Sequence, residues 1–216
     1  MSKSSEKLAN ARKEEIINAC ATLYETMGFR DITIRDIGAQ TSFARTSIYN
    51  YFQTKEEIFL ALLQREYERW ILELDAILQT HASLSASEFA KEIAHTLENR
   101  ACMLKLLSMN LYDIEGNSRL ENLVAFKAVY AGALQSITHC LEAFFPCMSH
   151  ADIQDFLYAF FPFLFGIYPY TTATRKQIEA MDLAHVAYPS YSIYEITATF
   201  VEKWLHPFTE CRKGCK

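Results

Sequence analysis

Apolar residues recur at helical spacing along nearly the whole chain, and no alternating strand pattern or internal repeat interrupts them. From about Ala9 to Met27, the stripe Ile16, Ile17, Cys20, Leu23 and Tyr24 predicts an amphipathic helix, stopped by Gly28. Phe29 follows, placed to fold back onto a small core, while residues 1–8 are polar and expected to be loose. Thr33 stands before Ile34 and Ile37 with Asp36 three residues on, the spacing of a capping box. The pattern breaks at Thr41-Ser42-Phe43, where Ser42 can cap a second short helix running through Arg45 to Tyr51. At about 100° per residue, Ala44, Ile48, Tyr51 and Phe52 lie toward one side of that helix. Arg45, Thr46, Tyr49 and Asn50 lie toward the other, which carries a charge, a hydroxyl, a phenol and an amide but no aliphatic residue.

Thr54 caps the next helix, a long one over Lys55–Thr80 with Glu56 and Glu57 at the positive end of its dipole. Its apolar face includes Ile58, Phe59, Leu62, Tyr67, Trp70 and Leu74, and Arg65, Glu66, Glu68 and Arg69 are expected on the outside. Beyond a polar loop with a cap at Ser85 or Ser87, helices are predicted over about 87–98 and 100–110. Tyr112–Ser118 reads as a loop, and a long helix follows to about Phe145. Ser149-x-x-Asp152 is a second capping-box spacing, opening a helix to about Tyr168 that Pro162 should kink. Shorter helices over about 174–184 and 191–206 complete an all-α chain, and the tail 209–216 is expected to be loose.

Composition narrows the function. Half of the residues are hydrophobic, enough for a sizeable core, and six Gly and five Pro leave few breakers. The net charge is −5, but residues 1–60 are neutral, so the acidic excess lies entirely beyond them. A neutral N-terminal unit can bind nucleic acid if its cations share a face. Six cysteines lack paired metal spacing and read as free thiols in a cytosolic protein. The apolar stretch Phe156–Tyr170 is too short to span a bilayer, and the N-terminus has no signal-peptide core. Six scattered histidines and the absence of GxSxG, GxGxxG or phosphate-loop patterns argue against an enzyme, a metal site or a bound cofactor.

A short helix with an apolar back and the Arg45–Asn50 front is what major-groove reading requires. The run from Ile37 to Phe59 also resembles the DNA-binding motif of TetR-family transcriptional regulators, most closely over Ser47-Ile48-Tyr49-Asn50-Tyr51-Phe52-Gln53-Thr54-Lys55-Glu56-Glu57-Ile58-Phe59. It departs at Gly38, where the family has Ala, at Ser42, where the family turn uses Gly, and at Phe43-Ala44. The resemblance implies a three-helix, helix-turn-helix DNA-binding domain over 1–53 and a helical ligand-binding and dimerisation domain over 54–208, linked by the helix Lys55–Thr80. It implies a cytoplasmic homodimer, a repressor on a near-palindromic operator in double-stranded DNA, released by a small molecule.

On that reading Arg45, Thr46, Tyr49 and Asn50 face bases or phosphates, and Thr33, Ser47, Tyr51 and Lys55 bind or position phosphate. Twenty-seven Phe and Tyr, most of them beyond Tyr67, suggest an apolar or aromatic effector. Met103, Leu107, Phe126, Tyr130, Phe165 and Tyr168 are the residues expected to line its site, with Met as adaptable wall. A dimer seam is expected from Phe156, Phe160, Phe163, Leu164 and Ile167 against Ile193, Ile196, Phe200 and Leu205. Two other classes fit the same composition: a helical carrier or adaptor without DNA binding, and a small-molecule enzyme with no familiar motif.

Overall fold

The structure, a computed structural model, describes residues 3–208, with side chains from Ser5 onward. The regular elements of the described residues are all helices: α1 Lys3–Thr26, α2 Ile34–Ala39, a 3₁₀ helix Arg45–Asn50, α3 Lys55–Thr80, α4 Ala86–Glu98, α5 Ala101–Met109, α6 Leu111–Gly116, α7 Leu120–Phe144, α8 His150–Thr171, α9 Arg175–Leu183, α10 Ile193–Leu205 and a second 3₁₀ helix His206–Phe208. No strand occurs among them. Local chemistry sets most helix starts. Thr33, Ser85, Ser149, Thr174 and Ser192 each accept the backbone N–H three residues on, whose own side chain accepts from the cap's N–H.

Three expectations need correction. The leading segment is helical from Lys3, since α1 runs through the polar residues. Tyr112–Ser118 is not simply a loop: α6 covers Leu111–Gly116 because Ile114 is drawn fully into the core. The reading helix is 3₁₀, begins after Ala44, and has no side-chain cap. Pro162 and Pro169 both lie inside α8, which continues to Thr171. The tail 209–216 lies outside the described residues.

The chain divides into two compact units. The first combines Met1–Tyr67 with Asn110–Tyr130, so α6 and the first part of α7 join the N-terminal helices. Its core gathers Ile16, Tyr24, Ile37, Ile48 and Phe59. Tyr24 and Phe29 both pack on Phe59, at ring-centroid distances of 5.2 and 4.8 Å. Arg65 and Glu66, expected on the outside, turn inward: Arg65 donates to Asn18 at 2.6 Å and Glu14 at 3.3 Å on α1, and Glu66 is buried.

The second unit combines Glu68–Met109 with Ala131–Lys216. Within it α10 packs along α4, and α5 along α8. Trp70 is fully buried among Phe160 and Phe161, and its indole N–H donates to Thr96 Oγ1 at 2.8 Å. Phe163 stacks on Phe200 at 4.0 Å. Of the residues expected in a dimer seam, Phe156, Phe160, Leu164, Ile167 and Leu205 are buried within the chain, while Phe163, Ile193, Ile196 and Phe200 are partly exposed. The apolar surface that α8 leaves open is a different stripe, Tyr158, Pro162, Phe165 and Pro169. Tyr158 is 79% exposed and Phe165 37%.

Candidate nucleic-acid interface

The 3₁₀ helix Arg45–Asn50 buries Ile48 alone of its six residues. Ile48 and, just beyond, Phe52 are buried, while Arg45, Thr46, Tyr49 and Asn50 are exposed. These four are the predicted reading residues, and all four are open to solvent. Ala44, predicted on the apolar side, is exposed, because it precedes the helix in an extended conformation. Ser47 and Tyr51 are half-buried.

The turn before the helix is held from outside. Ser42 does not cap the helix; its backbone N–H and its hydroxyl both donate to the Glu15 carboxylate on α1, the hydroxyl at 3.0 Å. Thr41 Oγ1 donates to the Gly38 carbonyl at 3.0 Å. The Arg12 guanidinium lies 5.4 Å from the centre of the Phe43 ring. Nothing local in the sequence links Glu15 to Ser42, twenty-seven positions on. Gly38 explains its own departure from the family pattern. A Cβ there would meet Arg45 Cγ at 2.8 Å and Arg45 Cβ at 3.0 Å, so α2 and the reading helix approach closely.

Two predicted phosphate residues are occupied within the chain. The Thr33 hydroxyl donates to Asp36 Oδ2 at 2.6 Å and accepts from the Asp36 N–H at 3.3 Å. These bonds, with the Thr33 backbone N–H, hold the Asp36 carboxyl below its usual range. Lys55 Nζ donates to the carbonyls of Phe29 at 2.7 Å and Ile32 at 3.1 Å, and sits 4.5 Å from the Phe29 ring centre. Lys55 thus fastens α3 to the connection between α1 and α2.

Glu57, beside it, was read as a helix-start carboxylate and does far more. Burial alone would push its carboxyl up, but donors from Arg119 and Gln53 outweigh this and hold it below its ordinary value. Gln53 N–H donates at 2.7 Å, Arg119 N–H at 3.2 Å, Arg119 Nε at 2.5 Å and Arg119 Nη2 at 3.0 Å.

The six residues expected around an effector divide between the two units. Phe126 and Tyr130 belong to the first unit, where both pack on buried Tyr67 at 5.8 and 5.9 Å. Met103, Leu107, Phe165 and Tyr168 belong to the second. Met103 and Leu107 are buried, Tyr168 is half-buried, and Phe165 is partly open to solvent. A cavity of about 420 Å³ opens at the end of α8, lined by residues including Tyr170, Thr171, Ile178, Met181, Val186 and Tyr188, and none of the six lines it. Among the described residues no cluster of His, Cys, Asp and Glu could hold a metal ion, and no helix is long and apolar enough to cross a membrane. Burial pushes the Cys140 thiol up to about 12.

Residues 16–62 match the model described as bacterial regulatory proteins, tetR family, and residues 64–201, more than half the chain, match the tetracyclin repressor-like C-terminal domain. The chain belongs to the TetR family. Among TetR-like relatives, it is 28% identical over 92 residues to the uncharacterized HTH-type transcriptional regulator YfiR of Bacillus subtilis (strain 168), covering 42% of this chain and 44% of YfiR. It is 26% identical over 77 residues to the HTH-type transcriptional regulator RutR of Escherichia coli (strain K12), covering 36% of each. These matches therefore span less than half the length of the relatives. The fold of this TetR-family chain resembles that of the fatty acid degradation regulator FadR from Bacillus halodurans, with TM-score 0.59, 15% identity, and coverage of 90% of this chain and 94% of that one. It also resembles the transcriptional regulator FadR from Bacillus subtilis in complex with stearoyl-CoA, with TM-score 0.57, 15% identity, and coverage of 88% and 96%.

Proposed function

We propose that this TetR-family chain is a dimeric repressor that reads a near-palindromic operator with the Arg45–Asn50 helix and leaves it when an effector inserts an apolar or aromatic group into the second unit. One observation supports the DNA-reading part: four hydrogen-bonding side chains, Arg45, Thr46, Tyr49 and Asn50, are exposed on a short helix anchored by buried Ile48 and, just beyond it, Phe52. Such side chains pair with base edges and phosphates in a major groove. Ser47 and Tyr51 take backbone phosphate. Thr33 and Lys55 act indirectly, by holding α2 and α3 in place. One short helix covers too few base pairs to specify a site alone, which supports two copies on two half-sites. The open α8 stripe of Tyr158, Pro162, Phe165 and Pro169 is the surface for the second copy.

The effector reading rests on the second unit alone, where Met103, Leu107, Phe165 and Tyr168 lie on the packed helices α5 and α8. Long-chain acyl-CoA is the first compound to try, because the Bacillus subtilis FadR structure holds stearoyl-CoA. Effector binding shifts the population away from the DNA-competent form by differential affinity. The protein works in the cytoplasm and needs no cofactor.

The test is fluorescence anisotropy with the DNA upstream of the protein's own gene. Arg45→Ala and Asn50→Ala should each weaken specific binding by about 1–3 kcal/mol while the protein stays folded. Wild-type binding that both variants reproduce unchanged would remove the reading helix from the mechanism.

A further inference from the structure

We infer that Glu57 and Arg119 are positioning residues for the reading helix, and that the junction between α6 and α7 sets the direction in which that helix points. The inference rests on the proposed reading role of Arg45–Asn50. It deepens that reading by naming what holds the helix in place.

The Glu57 side chain has no solvent exposure, and two of its hydrogen bonds go to backbone N–H groups. One is Gln53, which follows the reading helix by three residues; the other is Arg119, just before α7. The Arg119 guanidinium closes the arrangement with two further donors, one to each carboxylate oxygen. Thr54 makes a parallel link. Its hydroxyl accepts from the Glu57 N–H at 3.2 Å and donates to the Asn117 carbonyl at 3.1 Å. Residues 53–57 are thus tied to residues 117–119, about sixty positions away, through a buried carboxylate whose donors reach it from both sides.

The other end of α6 is fastened too. Tyr24 OH, from the core of the unit, donates to Asn110 Oδ1 at 2.8 Å. Helix α6 is therefore pinned at Asn110 and again at Asn117–Arg119. Ile48 and Phe52, immediately before the pinned segment, are in the same core. A displacement of the α7 start reaches the Gln53 backbone through one buried side chain, that of Glu57. An exposed ion pair could not transmit position in this way, because its geometry is loose and it is screened. A planar guanidinium on a buried carboxylate is fixed in two directions.

The experiment uses the full chain, with Arg119→Gln, Glu57→Gln, the double variant and Arg119→Lys. Amide hydrogen exchange without DNA reads the clasp directly. Arg119→Gln should speed exchange at Gln53 by about tenfold or more, although Gln53 is remote in sequence and keeps its own residue. Operator binding should weaken by about tenfold in each Gln variant, and the double variant should be no worse than the poorer single one. Arg119→Lys keeps the charge but not the fork, and should deprotect Gln53 partially; it carries the same test if a Gln variant does not fold. Unchanged exchange at Gln53 overturns the inference whatever the DNA result. A wild type that binds while the variants bind equally well also overturns it and leaves the reading helix intact. A wild type that binds no DNA sinks the reading role and the positioning role together.

Discussion

Gly38 and Arg45 stand so close that no side chain fits between them: a Cβ on Gly38 would lie 2.8 Å from Arg45 Cγ and 3.4 Å from Arg45 Cα. The obstruction is the root of the arginine, not its flexible end, so relief requires moving the reading helix. Gly38→Ala, the commoner residue of the family motif, should therefore act against the DNA-reading geometry here. Overpacking of this kind costs about 1–3 kcal/mol. Operator affinity should fall by about tenfold for each 1.4 kcal/mol that goes into displacing Arg45. Anisotropy titration together with urea unfolding checks both quantities; an Ala variant with unchanged affinity and midpoint would show that the contact relaxes freely.

Glu15 holds the turn before the reading helix through two donors of Ser42. Glu15→Ala should lower unfolding free energy by about 0.5–1.5 kcal/mol and weaken DNA binding. Ser42→Gly removes the hydroxyl but keeps the backbone N–H, so its effect should be smaller. Urea titrations of the two variants side by side test the order; a larger loss in Ser42→Gly would contradict it.

Acid should loosen the helix starts. Hydrogen bonds from the Thr33, Ser149 and Ser192 caps hold Asp36, Asp152 and Glu195 below their ordinary values. At Glu57, burial works the other way and the Arg119 and Gln53 donors outweigh it, so that group too ends below its usual range. A carboxylate lower in the folded state than in the unfolded one adds stability that is complete above the unfolded value. Here that value is 4.5 for the glutamates and 3.8 for the aspartates, and the contribution shrinks as pH falls from there through the folded values. Urea midpoints should be level at neutral pH and drop steadily below about pH 4.5. A midpoint that rises on acidification would refute this.

The exposed α8 stripe gives a test of assembly. Tyr158→Glu and Phe165→Glu place charge on a surface the monomer leaves open, Tyr158 being 79% exposed. Both chains should fold, with unchanged far-UV circular dichroism, yet sediment as monomers and lose cooperative operator binding. Phe160→Glu, at a fully buried position, should instead fail to fold. Sedimentation velocity distinguishes these outcomes, and a dimeric Tyr158→Glu/Phe165→Glu double variant would move the interface elsewhere.

The amino-acid order by itself determined whatever depends on neighbours within a turn. Five capping boxes, the span Lys55–Thr80 of α3 and the apolar back of the Arg45–Asn50 helix all follow from side chains three or four residues apart. That Ile48 and Phe52 are buried while Arg45, Thr46, Tyr49 and Asn50 are exposed was legible for the same reason. What lies between distant segments was not. Nothing near Lys55 reveals that its ammonium is drawn to the carbonyls of Phe29 and Ile32, or near Glu15 that it holds Ser42. Whether Phe156 and Phe160 face a partner or their own core depends on which helices cover α8, and here α5 and α10 do. Glu57 is the clearest case. Its place at a helix start is written in the sequence, but its partner sits sixty-two positions away, and only folding brings that guanidinium to the buried carboxylate.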